Sequence, residues 1–267
     1  MKRTFYKYEG TGNDFILFDD RENLFDNNNA KLISHLCDRR FGIGADGLML
    51  LRNKKGYDFE MVYFNSDGNP SSMCGNGGRC ISRFANDIGA VKKNEVNFLA
   101  IDGAHTAIIG PETVKLKMND VSNIVRGDSF GESGTDVFFL STGSPHYVKF
   151  TTNVPELDVY AEGKKIRNSD RFKKEGTNVN FVAPDNGGIY VRTYERGVED
   201  ETLSCGTGVT ASALAAALKG ISSSTEKCLV HTRGGNLSVH FKRDGNNFNN
   251  IWLEGPATFV FKGEIEM

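Results

Sequence analysis

Two cysteines in this chain each stand immediately before glycine and each open a similar run. Cys74-Gly75-Asn76-Gly77-Gly78 leads into a helical pattern from Arg79 to Ala90, and Cys205-Gly206-Thr207-Gly208-Val209 leads into one from Thr210 to Gly220. About half of the 267 residues separate them, which predicts two similar halves, each presenting one thiol where a loop enters a helix. The first helical turn has N–H groups without intrahelical partners and a partial positive charge, so it favours thiolate and binds carboxylate. A cysteine of ordinary pKa, about 8.5, is brought by such a position into the range where thiolate is common near neutrality. The glycines let N–H groups approach an anion with no Cβ in the way. One such site suggests a nucleophile; a matching pair suggests two thiols facing one ligand from opposite sides. By position alone, the competing reading is a pair of structural turns with buried thiols.

The other candidates are weaker. Cys37 lies in a helical pattern, Cys228 in a strand and Cys80 on the apolar face of the first helix, all places for a small buried hydrophobe. Gly42-Ile43-Gly44-Ala45-Asp46-Gly47 has the GxGxxG form, but a dinucleotide site needs a strand before it and a helix after. Here a helical pattern precedes and a strand follows, so a glycine turn between them is expected. Asn65-Ser66-Asp67-Gly68-Asn69 has turn composition, Glu195-Arg196-Gly197 could be a surface ion pair, and a lone histidine such as His146 is commonly structural.

The whole chain limits these options. A net charge of −2 gives no reason to expect nucleic acid or an anionic membrane as partner. The composition, 39% hydrophobic and 25% charged, is that of a soluble globular protein, with length enough for two cores. Five cysteines, an odd number with no CxxC pair and no signal-peptide pattern at Met1–Lys7, argue against a disulfide framework. The expectation is reduced thiols in the cytoplasm and no metal.

Strands are predicted near 5–8, 15–18, 48–51, 59–64, 96–101, 106–109 and 114–118, with helices over 29–39 and after Cys74. The second half repeats this order more loosely. Strands fall near 137–140, 147–150, 179–182 and 190–194, a helix over 156–167, and then the helix after Cys205. Ala211–Leu218 is small or apolar all round and belongs inside a domain. Four further strands close the chain, and the join is placed near Asp120–Gly134.

At these residues the chain closely resembles the diaminopimelate epimerase family of cofactor-independent amino-acid racemases and epimerases. The matching runs are Gly10-Thr11-Gly12-Asn13-Asp14-Phe15, Phe41 to Gly47, Phe64-Asn65-Ser66-Asp67-Gly68 and Met73 to Cys80. They continue with Gly143-Ser144-Pro145-His146, Thr177-Asn178-Val179, Tyr194-Glu195-Arg196-Gly197 and Ser204 to Gly208. The resemblance implies an α+β fold of two pseudo-symmetric domains, each a strand barrel around a central helix, with the active site in the cleft between them. The N-terminal domain would be residues 1–118 plus 256–267, carrying Cys74, and the C-terminal domain 119–255, carrying Cys205. It further implies a homodimer that interconverts LL- and meso-diaminopimelate for lysine and peptidoglycan precursors, without cofactor or metal.

By that resemblance Cys74 and Cys205 are the acid–base pair and His146 and Glu195 support the reacting centre. Gly75, Asn76, Gly206 and Thr207 would donate to the substrate α-carboxylate. Asn13, Asn65, Asn178, Glu195 and Arg196 would hold substrate, Arg196 suiting the distal carboxylate. The chemistry agrees, because inverting a stereocentre requires proton removal on one face and delivery on the other. Two departures touch binding: Ser144 stands where many relatives have Asn, and Gly47 where some have Gln. Proline-racemase-type enzymes typically have His two residues after the first cysteine, where this chain has Asn76, and PhzF-like isomerases lack the cysteine pair. A redox switch joining Cys74 to Cys205 and a non-catalytic amino-acid binder are the rivals from other classes.

Overall fold

The computed structural model describes residues 2–127, 136–222 and 224–267. Contacts divide the chain into one unit of Met1–Leu116 with Gly255–Met267 and a second of Lys117–Glu254. Part of the expected join, residues 128–134, lies outside the described residues.

In the first unit β1 (Lys2–Gly10) and β2 (Asn13–Asp19) form a hairpin whose turn residues, Thr11 and Gly12, have φ of 53° and 83°. Positive φ at both positions matches the twist of paired strands. Helix α1 (Ala30–Cys37) follows, then β3 (Gly47–Arg52), β4 (Phe59–Asn65), helix α2 (Gly75–Asp87), β5 (Glu95–Ala100), β6 (Gly103–Ile109) and β7 (Thr113–Lys117). Pairing runs antiparallel β1–β2, parallel β2–β3, antiparallel β3–β4, parallel β4–β5, then antiparallel β5–β6 and β6–β7.

The second unit repeats that series. It contains β8 (Val125–Arg126), β9 (Val137–Ser141), β10 (Pro145–Phe150), α3 (Val159–Arg167), β11 (Asn178–Asp185), β12 (Gly188–Glu195) and β13 (Asp200–Thr202). Helix α4 (Gly206–Lys219), β14 (Lys227–Thr232), β15 (Gly235–Asp244) and β16 (Asn247–Pro256) complete it. From β9 onward the pairings are antiparallel, parallel, antiparallel, parallel, antiparallel, antiparallel, the order of the first unit. The last strand, β17 (Thr258–Glu266), returns to the first unit and pairs antiparallel with β1. The expected α+β class therefore holds: strands dominate, and one helix in each unit is enclosed by them.

Side-chain alternation shows how each sheet encloses its helix. On β2, Ile16 and Phe18 join the cluster that α1 covers through Ile33, Leu36 and Cys37. Phe15, on the opposite face, lies against α2 beside Gly77. On β11, Val179 and Phe181 pack with Val159 of α3, whereas Asn180 faces α4 beside Gly208. Strands buried on both faces read as unbroken apolar runs, as Phe15–Phe18 does. Helix α4 is buried from Val209 through Ala217 and ends at Gly220, whose φ of 72° makes it a left-handed cap.

Both central helices begin earlier than their apolar patterns, at Gly75 and Gly206 directly after the cysteines. Glycines propagate helix poorly; here packing supplies what propensity lacks, since a Cβ on Gly78 would lie 3.1 Å from Leu116 and Met73. Helix α2 also stops at Ile88, short of Ala90, where Gly89 turns the chain with φ of 69°. Helix α3 starts at Val159 rather than near Glu156, because Asp158 caps it by accepting the Ala161 N–H at 3.0 Å. Ile101, expected in a strand, occupies the turn between β5 and β6 and is 72% exposed. The GxGxxG segment is the expected turn between α1 and β3, and a Cβ at Gly42 would meet the His35 carbonyl oxygen at 1.9 Å.

Candidate active site

Cys74 and Cys205 are the N-cap residues of α2 and α4. Their backbones are extended (φ −92°, ψ 135° and φ −113°, ψ 111°), and neither side chain caps its own helix. The helical ladders close behind them, Gly78 N–H reaching the Cys74 carbonyl at 2.7 Å and Val209 N–H the Cys205 carbonyl at 2.8 Å. The first-turn amides, which include those of Gly75, Asn76, Gly206 and Thr207, are thereby outside the ladder. Cys74 is half-buried and Cys205 is 6% exposed.

Around Cys74 the side chains form a connected network. Cys74 Sγ lies 3.6 Å from Asn13 Oδ1, which also accepts from Asn76 Nδ2 at 3.3 Å. Asn13 donates its own amide to Asp46 Oδ2 at 2.7 Å, so the Asp46 carboxylate fixes which end of the amide faces the thiol. Asp46 is held in turn by Arg39 at 2.8 Å, and Arg39 forks onto Asp14 at 2.6 and 3.0 Å. Lys7 joins Asp14 at 2.7 Å and donates to the Gly44 carbonyl. Burial would raise the Asp14 carboxyl, but hydrogen bonds from Arg39 and Lys7 outweigh it and hold the pKa at about 2. The site-bearing start of β2 is thus tied to the glycine turn by charge.

In the second unit amides and hydroxyls make up most of the supports. Thr207 Oγ1 lies 3.5 Å from the thiol, and the Thr207 carbonyl accepts from Thr142 at 3.0 Å. His146 is fully buried; its Nδ1 faces the Asn180 amide nitrogen at 3.2 Å, which places the ring proton on Nε2. That Nε2 has no hydrogen-bond partner among the described residues. Burial, reinforced by the Arg196 charge, depresses its pKa to about 3, so the ring is a neutral donor. Asn180 also donates to the Tyr147 carbonyl at 3.0 Å and accepts from Thr193 at 3.0 Å. Asn178 links the start of β10 to the residue after β12, donating to the Pro145 carbonyl at 3.2 Å and accepting the Arg196 N–H at 2.9 Å. Glu195 accepts from Thr202 at 2.9 Å, and the exposed Arg196 donates to the Glu175 carbonyl at 3.0 Å. Asn65 is exposed at the end of β4.

Strand register makes the two sets equivalent. Phe15 pairs with Gly47 and Gly47 with Asn65; His146 pairs with Asn178, and Asn178 lies opposite Glu195, next to the Val179–Tyr194 pair. Gly47 therefore corresponds to Asn178 and Asn65 to Glu195. Counting back from Phe15 and His146, Asn13 corresponds to Ser144. Glycine at position 47 has a local cause: a Cβ there would lie 2.6 Å from the Tyr63 ring and 2.7 Å from the Phe64 carbonyl oxygen.

Two positions central to this geometry received no role from the sequence: Asp46 and Asn180. A polar residue at every second position of a buried strand, Asn178-Val179-Asn180, was the available sign of the second. The remaining cysteines are inert, since burial raises Cys37 to about 12 and Cys228 to about 11 and pushes Cys80 higher still. Among the described residues no three His, Cys, Asp or Glu side chains are grouped to hold a metal ion. No helix there is long and apolar enough to cross a membrane. A recess of about 850 Å³ lies at the far end of α4 from Cys205, lined by Ala217, Gly220, Lys242 and Arg243, and contains none of these groups.

The family model described as diaminopimelate epimerase matches residues 5–124 and 138–260. A diaminopimelate epimerase of Flavobacterium psychrophilum is 50% identical over 262 residues, covering 97% of this chain and 99% of that protein. One of Chlorobaculum tepidum is 42% identical over 264 residues, with 97% and 99% covered. In fold, the chain is similar to a Bacillus anthracis phenazine biosynthesis protein of the PhzF family (TM-score 0.77, 13% identity, all of both chains). A probable proline racemase of Agrobacterium radiobacter is also similar (TM-score 0.70, 16% identity, 99% and 93% covered). The fold is thus shared with both rival groups, but the sequence matches run through every cysteine-bearing and glycine-bearing segment of the site, and the chain belongs to the diaminopimelate epimerase family.

Proposed function

We propose that this protein interconverts LL- and meso-diaminopimelate by proton transfer at one α-carbon, Cys74 and Cys205 acting as thiolate base and thiol acid and exchanging roles with direction. The observation that carries the reading is the repeated placement of a thiol as N-cap of a buried central helix, its side chain uncommitted to capping. Without a cofactor ring to spread the carbanion's charge, stabilisation comes from oriented dipoles. The amides of Gly75, Asn76, Gly206 and Thr207 receive the α-carboxylate, at the positive ends of two helices. His146, neutral and donating through Nε2, and Glu195 support the reacting centre without being the proton-transfer pair. Asn13, Asn65, Asn178 and Arg196 orient the rest of the substrate, with Arg196 toward the distal carboxylate.

Cys74 belongs in this reading to a domain of residues 1–118 plus 256–267, and Cys205 to one of 119–255. The enzyme acts as a cytoplasmic homodimer, which light scattering at working concentration tests by its mass.

Incubation with LL-diaminopimelate in deuterated water under reducing conditions tests the reaction. Deuterium entering the α-carbon together with the appearance of the meso form is the expected result. Exchange of proline but not diaminopimelate would transfer the protein to the proline racemase activity, and no exchange of either would reject the two-thiol scheme.

A further inference from the structure

Arg79 is the largest fully buried side chain among the described residues, with no exposed surface. Buried charges are ordinarily paired, but among the described residues the hydrogen-bond partners of Arg79 are all neutral oxygens. It donates to Asn76 Oδ1 at 3.1 Å, the Pro256 carbonyl at 3.2 Å, the Gly75 carbonyl at 3.3 Å and Thr11 Oγ1 at 3.4 Å. Two of these partners lie in the first turn of α2, next to Cys74. A third, Thr11, is a β-branched residue held at a φ of 53° and 1% exposed. Such strain persists only where the surroundings over-determine it.

The anionic or potentially anionic groups that reach Arg79 are Cys80 and Cys74 on α2 and Glu9 on β1. Cys80 stays protonated through burial, and Glu9 is engaged by the Gly12 N–H at 3.0 Å. Beyond these, Asp46 stands behind Asn13, and Asp102, beside His105, accepts the Met73 N–H at 3.2 Å. Glu9 is thus a standing negative charge that partly compensates the buried guanidinium, and a negative charge forming on Cys74 adds to that compensation.

We propose that Arg79 is a positioning residue whose buried charge stabilises the thiolate of Cys74 and whose hydrogen bond to Asn76 sets that amide toward Asn13. The inference rests on reading Cys74 as an acid–base group. Asn13 Oδ1 accepts from the thiol and so favours the protonated form, while Arg79 favours the ionised one. Opposed influences of this kind keep both states accessible, as a residue that alternates between base and acid requires.

The test is the pH dependence of iodoacetamide alkylation at Cys74, read by peptide mass spectrometry on the full chain for wild type, Arg79→Met and Arg79→Lys. Removing the charge is expected to move the Cys74 curve up by about one pH unit, the lower end for loss of a nearby opposite charge, and to leave the Cys205 curve in place. Arg79→Lys keeps the charge and is expected to keep the curve, while loosening Asn76 raises KM. A folded Arg79→Met with an unmoved Cys74 curve overturns the proposal. So does an Arg79→Lys curve displaced by a full unit, which decides the matter if Arg79→Met does not fold. Alkylation needs no turnover, so failure of the deuterium-exchange experiment and failure here are separable.

Discussion

At the scale of single residues, the two cysteines are distinguished from the other three by their surroundings. Cys37, Cys80 and Cys228 are thiols that burial keeps protonated, whereas Cys74 and Cys205 each open a helix. Replacing either by alanine is expected to cut epimerisation by at least ~100-fold, the lower end of a general acid–base contribution, with the far-ultraviolet spectrum unchanged. Full turnover in one of these variants would rule out a two-base mechanism. Asp46 acts one step further out. In Asp46→Asn the carboxylate that orients Asn13 is gone, so the Asn13 amide is free to present nitrogen to the thiol. A loss of about tenfold in kcat/KM is expected, corresponding to one hydrogen bond of about 1.4 kcal/mol. Unaltered kinetics would show that Asn13 is oriented by Asn76 and Cys74 alone.

At the scale of elements, the site depends on how closely each central helix approaches a neighbouring strand. Gly208, in the first turn of α4, has no room for a side chain: a Cβ would fall 2.3 Å from Asn180 Oδ1. Asn180 holds His146, Tyr147 and Thr193 together. Gly208→Ala is thus expected to cost about 1–3 kcal/mol as an overpacking substitution, measured by urea unfolding, and to reduce activity beyond that loss by displacing His146. The acidic motif Asp14-Asp46 and the basic pair Lys7-Arg39 do the corresponding work for the start of β2, through a charge network where the second unit uses amides and hydroxyls.

At the scale of the whole molecule, buried ionisable groups set the acid limit of stability. The His146 pKa is about 3 in the folded chain against an ordinary 6.5. Below about pH 6.5 the unfolded chain takes up a proton that the native one refuses, so stability falls with pH by up to ~1.4 kcal/mol per unit until the folded pKa is reached. His146→Gln is expected to flatten the urea midpoint between pH 6.5 and 4; an identical slope in the variant would assign acid sensitivity elsewhere. Asp14 adds to the loss lower down, because its depressed pKa of about 2 makes its contribution full above pH ~4 and lost as pH falls through 2.

The sequence alone determined the repeat, the strand-rich order of elements, the burial of Ala211–Ala217 and which two cysteines open a helix, because glycine placement, apolar periodicity and residue type are local properties; the α+β class followed from the family resemblance. It also identified the glycine-rich segment before β3 as a turn. It did not determine where the central helices begin, since glycines of poor propensity are made helical by the side chains packed on them. Nor did it reveal Arg79, Asp46 or Asn180, whose importance lies in partners distant along the chain: Arg79 meets Pro256, and Asn180 meets His146. The correspondence of Asn13 with Ser144 and Gly47 with Asn178 became visible only through strand register, which pairs residues across space and leaves no trace in their order along the chain.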